Sequence, residues 1–388
     1  MTRARRILTI SRWGIPAALV CAAALWGIVD WARYDPAVWL VEFAGLRGHM
    51  ARHYANLDWM VEHRKVDLPR LRLSTEEALR SAHGRWRARR ALERFIAAFR
   101  DPHLRLVNSS PASPMPGAEE ETAGGRVEAP TCSDRSFSVR DRGFIFPFEQ
   151  AEGWERAGGP WFPAGSFGAA GVIRIAHFGE DGYREACDEV GPDHVRERLQ
   201  EELRDTIREL RERAIRVLIV DITGNGGGTG WATEAVSLFA TGTLHRPKAR
   251  GLSFECDRTP IWDGEAVCPG IAGEGESVFQ AEGVWEGPLA VLVDGRTASA
   301  SEDFVVWLRE SGAATIIGER TYGAGCGYAN GGAPARLDRI GLTVLMPNCA
   351  RFTSDGVNEV EGIAPDVHLS LREGSAAQRL AGLIQSLP

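Results

Sequence analysis

Apolar positions along this chain follow two rhythms, and the switch between them outlines the fold. From Gly171 onward, short apolar runs alternate with longer amphipathic stretches. Val172 to Phe178, Arg216 to Ile222, Leu289 to Val293 and Ala314 to Gly318 read as strands. Few polar residues interrupt them, as expected of strands covered on both faces. Asp193 to Ala214 carries a Val/Leu/Ile stripe at helical spacing, and Trp231 to Ala240 and Ser299 to Ser311 keep the same period. Strands separated by helices imply a mainly parallel or mixed sheet, hence an α/β core over residues 171–388. Pro36 to Arg100 is helical by its period, and the spacing predicts that Ser74 opens a helix running to Phe99. Residues 36–107 then form a helical N-terminal subdomain. Residues 108–170, rich in Pro, Gly, Ser and Glu, read as an irregular linker region of loops and short strands.

Two junctions carry candidate chemistry. The strand ending at Val293 runs through a small-residue turn into a helix, with Thr297, Ser299, Ser301 and Glu302 at the helix start. A hydroxyl there meets unpaired N–H groups and the positive end of the helix dipole, which favour developing negative charge. Ser299 is therefore a candidate nucleophile. The same residues fit a capping box, in which Ser299 only caps the helix and Glu302 reaches back. The second junction is the strand to Asp221, followed by Gly224, Asn225, Gly226, Gly227 and Gly228. It lacks the Gly-Lys-Ser/Thr of a phosphate loop. It suits an oxyanion hole, since glycines let backbone N–H groups approach a reacting centre.

Taken in order, Asp221 to Gly228, Thr297 to Phe304, Ala314 to Gly323 and Gly362 to Asp366 resemble the motifs of the tail-specific, or C-terminal-processing, serine peptidases. The resemblance covers roughly residues 45–370 and implies a crotonase-like, ββα-repeat mixed sheet. It also implies that Ser299 attacks, with Gly226, Gly227 and Ala300 supplying the oxyanion hole. The best-known members pair the serine with a lysine, but here Thr321-Tyr-Gly is followed by Ala324. The only lysines, Lys65 and Lys248, lie in no family motif, so a Ser–Lys dyad is excluded. A branch resembling the tricorn protease core and the interphotoreceptor retinoid-binding protein modules uses no such lysine. By similarity to it, His103, in Asp101-Pro-His103, is the base and Glu359 its supporting acid; Glu361, two residues on, is the rival. Pro102 stands where tricorn has a serine. The family's peptide-binding PDZ module is expected to be absent or degenerate in residues 108–170.

The compartment comes from the ends and the cysteines. A basic start (Arg3, Arg5, Arg6, Arg12) precedes an apolar run from Trp13 to Val29, so residues 1–33 read as a signal peptide or membrane anchor. The run is slightly short of the ~20 residues of a comfortable span. Beyond Cys21, six cysteines remain: Cys132, Cys187, Cys256, Cys268, Cys326 and Cys349. An even set after an export signal points to disulfides. Cys256 with Cys268 would close a loop in an insertion over 251–285 beside the active face, Cys326 with Cys349 would flank a hairpin, and Cys132 would take Cys187. No Cys-x-x-Cys occurs, which argues against zinc, and no cofactor is expected. A net charge of −7 gives no reason to expect nucleic acid. The expected function is an exported serine peptidase acting on peptides or protein C-terminal regions by a Ser-His-Glu mechanism. The alternative is a catalytically inactive peptide- or ligand-binding envelope protein.

Overall fold

The computed structural model describes residues 30–109, 142–253 and 255–388. From Pro36 the chain forms helices α1 (Pro36–His53), α2 (Leu57–Glu62), α3 (Leu68–Arg80) and α4 (Arg85–Ala97), and then the short strand β1 (Arg105–Asn108). Helix α3 begins earlier than Ser74. Asp67 caps it by accepting from the Arg70 N–H at 2.9 Å, while the Ser74 hydroxyl donates to the carbonyl of Leu71 within the helix. The single helix expected to reach Phe99 is broken at Gly84, whose φ of +131° ends one helix before the next begins. Phe43, Leu46, Met50, Leu92, Phe95 and Phe99 close a helical core.

The central sheet follows. Strands β2 (Glu155–Ala157), β3 (Ala164–Phe167) and β4 (Ala170–Arg174) form an antiparallel edge. After α5 (Arg184–Val190) and α6 (Val195–Glu212), β5 (Val217–Asp221) lies parallel to β4. Helix α7 (Trp231–Phe239) leads to an insertion containing β6 (Thr243–Pro247), β7 (Gly251–Leu252), β8 (Ile271–Ala272) and β9 (Glu276–Gln280). Then come β10 (Leu289–Val293), α8 (Ala300–Glu310) and β11 (Thr315–Gly318). Strands β12 (Ala335–Leu337) and β13 (Leu342–Leu345) form a hairpin that pairs with β1, and β14 (Val367–His368) precedes α9 (Ala376–Ser386). The sheet order is β14-β11-β10-β5-β4-β3-β2, a mixed α/β arrangement.

Alternation along β5 divides two cores. Leu218 and Val220 face α6, α7 and α8 with Leu203, Val236 and Phe304. Val217 and Ile219 face Phe148, Leu380 and Leu383 of the other layer. Each such buried aliphatic contributes roughly 1.5–3 kcal/mol by transfer from water. Strands β5 and β10 are parallel neighbours, so the turns that leave their C-terminal ends emerge side by side. In open α/β sheets that edge is where ligands are held.

The insertion packs in part on the helical unit. Ile261 and Trp262, in the turn Thr259–Asp263, are buried in the helical core, and Arg258 donates to the carbonyls of Ala51 and Tyr54. The Cys256–Cys268 and Cys326–Cys349 disulfides are both present. Cys132 and the apolar run 13–29 lie outside the described residues. Among the described residues, no helix is long and apolar enough to cross a membrane.

Candidate active site

Two turns from adjacent strands are stitched together. The Thr297 hydroxyl donates to the Ile222 carbonyl at 3.1 Å, and the Ala298 N–H donates to the Asn225 carbonyl at 3.0 Å. This packs the glycine turn against the start of α8. A Cβ on Gly227 would lie 2.7 Å from the Ala298 carbonyl oxygen and 2.9 Å from Ser299 Cβ, so only glycine fits there. Ser299 itself has φ +59° and ψ −118°, a region that non-glycine residues rarely occupy. Strain of this kind is typical of side chains held for function.

The helix that ends near Phe99 and the turn after it deliver His103. Its Nε2 lies 3.2 Å from Ser299 Oγ, across nearly two hundred residues of sequence. Its Nδ1 lies 3.0 Å from the carbonyl of Ala324. A carbonyl can only accept, so Nδ1 carries the proton and Nε2 presents its lone pair to the serine. The ring rests on Gly327, where a Cβ would come within 2.9 Å of Nε2, and Tyr328 meets it edge-on at 5.3 Å. Asp101, buried, accepts from the His103 N–H at 3.0 Å and from the Tyr54 hydroxyl at 2.9 Å. Burial pushes the His103 imidazole below its usual range, against the opposing pull of Asp101 and the Ala324 carbonyl. Burial pushes Asp101 upward.

The expected partner of the histidine is elsewhere. Each oxygen of the Glu359 carboxylate takes a guanidinium: Oε2 accepts from Arg351 Nε at 2.7 Å, and Oε1 accepts from Arg246. Paired charges are what a fully buried carboxylate requires, and both ring nitrogens of His103 are bonded to other groups. Glu361 is not a rival. It accepts from Trp59 Nε1 at 2.8 Å and from Arg64 Nε at 3.1 Å. The two glutamates sit in a 3₁₀ turn, Glu359–Glu361, rather than on a strand, so they do not share a face.

Of the expected oxyanion donors, the Gly227 N–H is already committed to Asn225 Oδ1 at 2.9 Å. The N–H groups of Gly226 and Ala300 have no acceptor among the described residues, and Gly226 is exposed. Ala300 follows Ser299 in the chain, and Gly226 precedes Gly227, the glycine that packs on Ser299.

Glu302 has a larger role than sequence reasoning allowed. It occupies the capping-box position and accepts the Ser299 N–H at 2.9 Å. It also accepts from the Thr321 hydroxyl and from the N–H groups of Gly323, Ala324 and Gly325. One buried carboxylate therefore ties the nucleophile's turn to the segment whose Ala324 carbonyl orients the histidine. Burial pushes its carboxyl up, while these donors pull it down. The Ser-x-x-Glu spacing was the signal for its position but not for its reach. Nothing in the local sequence marked Ala324 O or Arg351, because backbone carbonyls and distant arginines leave no motif.

Residues 169–369 match peptidase family S41. The chain belongs to this family. His103 lies outside the matched segment, so the helical unit adds to the family core a residue that the match does not cover. Over 161 residues the chain is 31% identical to "C-terminal processing peptidase, chloroplastic" of Tetradesmus obliquus, covering 42% of this chain and 30% of that protein. Over 170 residues it is 26% identical to "Carboxyl-terminal-processing peptidase 3, chloroplastic" of Arabidopsis thaliana, covering 43% and 28%. The match thus spans less than a third of either relative's length. The solved structure of mature CPAF shares the fold, with a TM-score of 0.58 at 15% identity over 90% of this chain and 95% of that one. Among the described residues, no cluster of His, Cys, Asp and Glu is arranged to hold a metal ion.

Proposed function

We propose that this S41 protein is an exported serine peptidase that cleaves peptides or protein C-terminal regions with Ser299 as nucleophile and His103 as general base. The observation that carries the reading is the 3.2 Å approach of His103 Nε2 to Ser299 Oγ at the N-terminus of α8. Ser299 Oγ attacks the scissile carbonyl carbon as its proton passes to Nε2. The carbonyl oxygen becomes an oxyanion between the N–H groups of Gly226 and Ala300, at the N-terminus of α8. Nε2 then returns the proton to the leaving amine, and water resolves the acyl-enzyme with the same base. In this reading the Ala324 carbonyl fixes the tautomer that a lysine-dependent relative does not need. The Trp13–Val29 run and the two described disulfides support export.

Fluorophosphonate labelling tests the reading directly. The full chain should label on Ser299, and Ser299→Ala should remove both label and peptide hydrolysis while the fold is kept. Failure of the wild-type protein to label at any pH would sink the peptidase reading in favour of a binding protein.

A further inference from the structure

Arg351 makes a junction that the proposed mechanism does not itself explain. Its Nη2 donates to the carbonyl of Ser299 at 2.9 Å and to the carbonyl of Gly325 at 3.0 Å. Its Nε donates to Glu359 Oε2 at 2.7 Å, and its Nη1 lies 3.7 Å from Asp303 Oδ1. The carbonyl of Ser299 belongs to the strained peptide that aims the nucleophile. Gly325 follows Ala324, whose carbonyl holds His103. One guanidinium thus clamps the two segments whose separation sets the distance from Oγ to Nε2. Behind it, Arg246 donates to the other oxygen of Glu359 and pairs with Asp303 in the first turn of α8.

We infer that Arg351 is a positioning residue for catalysis, and that Glu359 acts on the site through Arg351 rather than through the imidazole. The inference rests on the serine peptidase reading. The physical case is the geometry of the fork. A planar guanidinium can bridge two carbonyls with one nitrogen while presenting another to a carboxylate, which an ammonium group cannot do. Both ring nitrogens of His103 are engaged elsewhere, Nδ1 with the Ala324 carbonyl and Nε2 with Ser299 Oγ, while each oxygen of Glu359 accepts from an arginine. Its service is to hold Arg351 in register and to neutralise it in a buried setting. A carboxylate acting this way needs no contact with the base.

A double-substitution cycle on the full chain separates this from a direct Glu359–His103 role. Arg351→Met should lower kcat by about 100-fold, the scale expected when reacting groups lose their alignment, with KM little changed. Arg351→Lys should keep the charge yet recover only part of the rate, since it lacks the fork. Glu359→Gln should lower kcat less than Arg351→Met. The double variant Glu359→Gln with Arg351→Met should be no slower than Arg351→Met alone, as for residues that act as one unit. Multiplying losses would overturn the inference, because they would mean that Glu359 acts on the base independently. Full activity in Arg351→Met would also overturn it. Circular dichroism and melting curves identify variants that merely unfold, in which case Arg351→Lys and Glu359→Gln, the least disruptive pair, decide by the same comparison. Wild-type labelling at Ser299 keeps this test distinct from the parent reading: a labelled wild type with multiplying losses rejects only the role of Arg351.

Discussion

At the scale of single residues, the proposed mechanism makes the protonation of His103 set the rate. Only neutral His103 can take the serine proton, so kcat/KM should rise with pH. Burial depresses the imidazole, so the half-maximum should fall below the ordinary value of about 6.5. Asp101 favours the imidazolium, whereas Arg351 and Arg105 oppose it. Asp101→Asn should therefore move the midpoint to still lower pH, and a pH profile on a small peptide substrate measures it. An upward shift would mean that Asp101 does not stabilise the charged ring. His103→Ala should lower kcat by several orders of magnitude, as when a member of a catalytic triad is lost. Glu302→Gln tests the anchor beneath the site. It would face N–H donors with its own NH₂ group, leaving buried groups unpaired at a cost of about 3 kcal/mol. Thermal unfolding should show that loss together with slower turnover. Ser299 and His103 were legible because helix-start and motif context name them. The acceptor for Nδ1 was not, because it is a carbonyl on Ala324, where the side chain carries no information.

At the scale of elements, the disulfides divide by position. Cys326 precedes Gly327, on which the His103 ring lies, and Cys349 Sγ is 3.6 Å from the Gly327 carbonyl. The bridge closes the β12–β13 hairpin, a separation of 23 residues, and so fixes the segment that packs on the base. Replacing both cysteines with serine should cost about 3 kcal/mol through loop-closure entropy and lower kcat at least tenfold. The Cys256–Cys268 bridge lies in the insertion whose turn packs on the helical unit. Its removal should lower the melting temperature and leave kcat nearly unchanged. Steady-state kinetics beside melting curves on the two double variants would show the contrast, and equal kinetic losses would contradict it. Trp262 and Ile261 of the insertion pack into the helical core, a seat that a Trp/Pro/Gly-containing loop does not advertise.

At the scale of the whole molecule, the proposed catalytic pair joins two cores. Ser299 belongs to the mixed sheet and its helices, whereas His103 follows α4 and precedes β1, the strand that pairs with β13. Tyr54 links α1 to Asp101 and so couples the helical unit to the base. An export route agrees with this chemistry, and alkylation of native, unreduced protein followed by mass spectrometry should leave Cys256, Cys268, Cys326 and Cys349 unlabelled. Labelling of all four would remove both described disulfides and the argument for an oxidising compartment.

While His103 was named through family resemblance, the sequence by itself determined the sheet strands, the helices between them and the serine and glycine turns. Each depends on periodicity or on residues close together in the chain. Only the tertiary structure decided what supports them. Glu302 reaches Gly325, Arg351 reaches Ser299, and Glu359 faces two arginines instead of the imidazole. These contacts depend on how the C-terminal segment is folded back across the start of α8. A buried carboxylate goes to the strongest donors that this path brings within reach, and neither spacing nor composition records the path.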